Sequence, residues 1–110
     1  MKRHFETGAV RDGDSNKPNY LSYLHPTVLR RYGVHMKKAE KKYGEANWQK
    51  GFPKMVYLQS LMRHFVTLWA EEVGTEKKTE QDHASALLFN IVGFIYEEER
   101  TKDVHAKTKN

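Results

Sequence analysis

Three groups of residues have the types and spacing to do chemistry. Arg63-His64 joins a planar guanidinium fork, suited to phosphate or carboxylate, to an imidazole that donates to an anion or acts as a base near neutral pH. His83, Ala86, Asn90, Gly93 and Glu97 step by three and four, so they line one stripe of a helix with small, polar and acidic side chains. The stretch KKYGEANWQKG, Lys41 to Gly51, holds Tyr43 just before Gly44, and Asn47 and Trp48 between Gly44 and Gly51. Its rings could stack on a base while Asn47 reads an edge or holds the loop. Each group also has a purely structural reading. Arg63 and His64 could be an exposed pair, or salt-bridged to Glu97 or Asp82. Asn90 could fix helix register in an oligomer, because an unpaired buried amide costs about 1–3 kcal/mol. In the third group, Gly44 could stop a helix, Asn47 make an Asx-type turn and Trp48 plug a gap between helices.

The elements that position these residues read as three helices. The first, about 26–43, has Pro26 at its first position, Lys41 and Lys42 at its negative end, and Gly44 at the expected αL stop. Val28, Leu29, Tyr32, Met36, Ala39 and Tyr43 give it a helical period. The second, about 54–73, follows Pro53 and ends at Gly74; Met55, Leu58, Leu61, Met62, Phe65, Leu68 and Trp69 form the seam expected to face the core. The third, about 80–100, starts with Thr79 as cap and Asp82 three residues on. Its middle, ASALLFNIVGFIY, is apolar almost all round and needs cover on every side. Two short partner helices cannot supply that cover. The expected fold is therefore all-α, a three-helix array completed by homo-oligomerisation through the third helix. Residues 1–23, dense in turn formers, read as an extended arm, 24–100 as the helical domain and 101–110 as a basic flexible tail.

At 110 residues the chain is one domain whose own core would be modest. The absence of cysteine excludes disulfides and thiolate catalysis and is compatible with the cytoplasm. No run is long enough to cross a bilayer, and MKRHFETGAV lacks the apolar stretch of a signal peptide. A net charge of +5 favours anionic partners, although Lys102, Lys107 and Lys109 place part of it in the tail. Acids are interspersed among the cations and no helix has a continuous basic face, which argues against nucleic acid. No Gly-rich phosphate loop, HExxH or Gly-x-Ser-x-Gly occurs. Asp82-His83 reverses the His-Asp order of metal phosphohydrolases and lacks their further spaced histidines.

The segments TGAVRD (7–12), KP (17–18), LRR (29–31), KKYGEANWQKGFP (41–53), RH (63–64) and DHASALLFN (82–90), closing on Glu97-Glu98, run in a recognisable order. Over Thr7 to Glu99 the chain resembles the dATP/dGTP diphosphohydrolase, N-terminal domain family of small phage and prophage proteins. It bears a distant likeness to the MazG-like all-α pyrophosphohydrolases. The resemblance implies host-cell cytoplasm and a purine nucleotide or a nucleotide-derived small molecule as ligand. Two functions follow from it. In the first, a basic, aromatic-lined pocket of an oligomer captures the ligand uncut and without a cofactor, as a sponge for nucleotide signals of host defence would. Arg11, Lys42, Arg63 and His64 would then hold phosphates, Tyr43 or Trp48 would stack with Asn47 beside them, and Asn90 and His83 would meet polar edges. In the second, Mg2+ or Mn2+ held by Asp82, Glu97 and Glu98 would support pyrophosphate release, with His64 or His83 as general base. Where the family carries Glu-Asp-His this chain has Gln81-Asp82-His83, and it lacks the four-carboxylate cage of MazG-like enzymes. The binding function is the favoured expectation.

Overall fold

The computed structural model describes residues 2–13 and 16–108. Three helices dominate: α1 (Pro26–Tyr43), α2 (Lys54–Glu72) and α3 (His83–Thr108). Before them come two short antiparallel strands, β1 (Lys2–His4) and β2 (Val10–Asp12), paired Lys2 to Asp12 and His4 to Val10. The expected arm is thus partly a hairpin. Gly8 N–H donates to the carbonyl of Phe5 at 2.9 Å across its turn.

Local chemistry sets the helix ends. The His25 ring accepts from Thr27 N–H, and Pro26 occupies the first turn of α1. Gly44 closes α1 at φ +92° and ψ 158°, in glycine's half of the map but not in the αL form expected. Two further expectations are corrected in α3. Its cap is Asp82, which accepts from Ser85 N–H, whereas the Thr79 hydroxyl accepts from Gln81 N–H in the loop before it. The helix also runs on to Thr108, and Lys102 pairs with Glu99 on its surface at 2.7 Å. The remaining tail lysines lie outside the described side chains.

The pairing of α2 with α3 organises the fold, and it runs through the stripe of small and polar residues. His83, Ala86, Asn90 and Glu97 are buried there, facing Tyr57 and Glu71 of α2. Gly93 lets the Tyr57 ring lie directly on the α3 backbone, since a Cβ at 93 would overlap that ring. Only Tyr57 and Ala86 are buried hydrophobic residues among those described. The expected core seam of α2 is mostly outside: Met55, Leu58, Met62, Phe65 and Trp69 are exposed, while Leu61 and Leu68 are half-buried. A radius of gyration of 19.5 Å exceeds the roughly 13 Å of a compact chain of this length.

Two alanine substitutions should separate close packing from helix propensity. Gly33, inside α1, has open space around it, so Gly33→Ala should stabilise by up to about 1 kcal/mol. Gly93→Ala should destabilise by about 1–3 kcal/mol through overpacking against Tyr57. Urea denaturation of both variants checks the opposite signs.

Candidate functional site: a cleft between α1 and the α2–α3 pair

No residue of α1 is buried, and α1 stands off the other two helices to leave a cleft of about 710 Å3. The corner after α1, a 3-10 turn at Asn47–Lys50, closes one end. Trp48 is fixed in that corner by edge-to-face contacts with Tyr96 and Phe89, at ring centroid distances of 4.9 and 6.2 Å. Its carbonyl also accepts from the Tyr57 hydroxyl. The plug reading of Trp48 is therefore right, and the same ring lines the cleft.

Of the nine sequence-derived ligand candidates, six line the cleft: Lys42, Tyr43, Asn47, Trp48, His64 and Asn90. The residues that line this cleft all come from one chain. His83 lies one layer behind, joined to His64. Arg63 is exposed on α2 and Arg11 lies on β2; neither borders the cleft. Residues that sequence reasoning passed over as ligand contacts also line it, among them His35, Lys38, Phe52, Ser60 and Phe89, and so do the acids Glu40, Glu80 and Asp82. A signal for part of this set was present. Arg31, His35, Lys38 and Lys42 step by four, three and four, a basic stripe on α1 beside the apolar one.

Asn90 donates to the Ala86 carbonyl at 2.8 Å and to the Ser60 hydroxyl at 3.3 Å. Its buried amide is thus satisfied within one chain, and it need not set register between copies. Next to it, Nδ1 of His64 and Nδ1 of His83 are 2.9 Å apart, so one ring donates and the other accepts. Behind His83, its Nε2 faces the buried Glu71 carboxylate at 3.8 Å. Glu71, His83 and His64 thus form a chain from the α2–α3 interface to the cleft wall. Burial holds the His64 ring below the ordinary imidazole pKa, helped by His83, His35 and Arg63. Burial does the same to His35, partly offset by Asp82.

Of the carboxylates that line the cleft, Asp82 and Glu40 have cationic partners, Glu40 with Lys37 at 3.2 Å. Arg31 grips Asp82 with two bonds of 2.9 and 2.7 Å, and Ser85 adds a 2.7 Å bond. Together they hold Asp82 well below the usual carboxylate range. Arg100 pairs with Glu97 and lowers its pKa, and Lys54 lies 3.4 Å from Glu98. Neither Asp82 nor Glu97 is therefore the partner of Arg63 or His64 that one reading suggested. Asp82 and Glu97 stand fifteen positions apart on α3, about 22 Å along its axis. Among the described residues no three His, Cys, Asp or Glu form a group that could hold a metal ion. Asp82, Glu97 and Glu98 do not fit the cage implied for Mg2+ or Mn2+. No helix among the described residues is long and apolar enough to cross a membrane.

Fold and site together define a mainly helical domain, with a small N-terminal hairpin, and an open cleft lined by cations, imidazoles, aromatic rings and three acids. Residues 7–107 match the family model of the dATP/dGTP diphosphohydrolase, N-terminal domain, and the chain belongs to that family. Neither the curated proteins nor the solved structures contain a match.

Asp82 gives the site a testable acid dependence. Its pKa is lower folded than unfolded, so the stability it adds is fully present above about pH 4 and is lost as pH falls further. Arg31 is largely exposed, which keeps the pair's worth to about 1 kcal/mol or less. Urea midpoints between about pH 4 and 2 should fall more steeply for the wild type than for Asp82→Asn. Parallel profiles would mean that the ionised carboxylate does not support the fold.

Proposed function

We propose that the cleft captures an anionic purine nucleotide, or a small molecule derived from one, and holds it uncut. One observation carries this reading: the walls offer Lys38, Lys42, two neutral imidazoles and several rings, while Asp82 is tied up by Arg31. Donors and aromatic faces are what a phosphorylated purine needs. The acids in its walls, Glu40, Glu80 and Asp82, form no group among the described residues that could hold a metal ion, so they offer no cage for catalytic metal ions. The family's name points to dATP and dGTP as the first ligands to try. Lys38 and Lys42 would meet phosphate, Tyr43 at the rim and Trp48 at the closed end would flank the base, and Asn47 would meet a polar edge. Capture without turnover would make the protein a sink for such nucleotides or for signals made from them.

Calorimetry with dATP and dGTP in EDTA tests the reading. Binding with recovery of intact nucleotide is expected, and Lys42→Ala should weaken it about tenfold, the worth of one charge-assisted hydrogen bond. Absence of binding would refute it.

A second reading, pyrophosphohydrolase, draws on the Glu71–His83–His64 chain. A carboxylate behind two imidazoles can hold His64 in the tautomer that leaves a ring nitrogen free to accept a proton. Pyrophosphate release in Mn2+ that His64→Gln abolishes would favour it over capture.

The imidazoles also give capture a pH dependence. His35 and His64 favour the neutral form in the empty cleft, and a bound phosphate favours the protonated one. Binding should therefore take up protons, and affinity should rise as pH falls from about 7.5 to 5.5. Calorimetry in buffers of different ionisation enthalpy reads the uptake directly. His64→Gln should reduce it, and zero uptake in the wild type would place the anion away from these rings.

A further inference from the structure

We propose that the exposed apolar face of the α2–α3 pair, on the side away from the cleft, is the contact surface for a second copy of this chain. Met62, Phe65 and Trp69 on α2 and Leu88, Ile91 and Ile95 on α3 repeat with the same steps of three and four. Each set therefore forms one stripe on its helix. Their positions follow from the buried ones. At about 100° per residue, turning from Tyr57 and His64 on α2, and from Ala86 and Asn90 on α3, carries both stripes to the same side of the antiparallel pair. Phe89 and Tyr96, which meet Trp48 at the cleft end, turn to the other side. The cleft and the apolar face are thus the two opposite faces of one helical layer.

The extent of the face suits a stable interface. Trp69 is 62% exposed and Ile95 52%, and none of the six side chains carries a charge. From Met55 to Val73 the α2 stripe runs about 27 Å, and two helices side by side are about 20 Å wide. That is about 500 Å2 in projection and more as accessible surface, close to the roughly 800 Å2 each partner gives a standard interface.

What covers the face must be there whenever the chain is folded, because the described chain buries only two hydrophobic side chains of its own. A second copy is the partner always made with it, and a two-fold axis lets each apolar stripe meet its counterpart. Glu72 and Glu99 flank the stripes, each closed into an ion pair with a lysine, Lys78 and Lys102. The two pairs would stack as a four-helix layer with both clefts open to solvent. Helix α3 contributes to this contact, but α2 supplies its largest ring.

Light scattering and acrylamide quenching test the proposal. At micromolar concentration the expected particle has twice the 12.9 kDa chain mass, about 26 kDa. In Trp48→Phe, which leaves Trp69 as the sole tryptophan, quenching should be several-fold weaker than for free tryptophan. Phe65→Glu should give monomers or an unfolded chain, while Arg63→Glu, off the stripe, should leave particle size unchanged. A folded monomer would overturn the proposal and leave the face for lipid or another protein. So would an oligomer with Trp69 freely quenched, or one that Arg63→Glu dissociates. None of these readouts depends on nucleotide binding.

Discussion

The Tyr57 ring lying on the backbone of α3 at Gly93 is the constraint on which the rest of the molecule depends. A ring can come that close only where the facing residue has no Cβ, and the neighbouring turns of α3 offer Ala86 and Asn90 in the same line. Once α2 is seated there, its polar positions Ser60, His64 and Glu71 turn toward α3. The apolar positions of both helices must then turn outward. Local amphipathicity alone would have packed the Met and Phe seam of α2 inside, as it does in most helices of soluble proteins. Here close approach at a glycine and a satisfied polar interface hold the pair together, and apolar burial is left for the opposite face.

That inversion also creates the cleft. Among the α2 and α3 residues that line the cleft, Phe89 alone is large and apolar, so little draws α1 down onto the pair, and the Arg31–Asp82 ion pair tethers it at a distance. The space that remains is lined by the basic stripe of α1 on one side and by imidazole, amide and hydroxyl groups on the other. The same polar stripe thus serves as helix contact at its inner edge and as site wall at its outer edge. Asn90 does both, bonding Ser60 of α2 while lining the cleft.

Helix positions were legible in the sequence because periodicity, Pro26, Pro53 and Gly44 are local signals. The small-and-polar stripe of α3 was legible too, as a stripe. Which surface would cover it was not, since the pairing depends on the fit of Tyr57 to Gly93, and no local pattern encodes a contact between residues 36 apart. The same limit misdirected the α2 seam inward. Among the residues that line the cleft, Tyr43, Asn47, Trp48, His64 and Asn90 were picked out by type. His35 and Lys38 were overlooked because α1 was read for its apolar stripe alone. Arg63 and Arg11 were included for their charge, but helix phase turns the first away and the hairpin carries the second elsewhere. Asp82 and Glu97, named as metal ligands from the sequence, lie fifteen positions apart along one helix and do not converge within one chain.

The chain has two tryptophans, Trp48 in the cleft and Trp69 on the opposite face, so one spectrum tests the central claim with its own control. In 15N-labelled protein with EDTA, addition of dGTP should shift the indole N–H signal of Trp48 and leave that of Trp69 in place. A shift confined to Trp69, or none in either signal at saturating nucleotide, would contradict the assignment of the cleft as the nucleotide site.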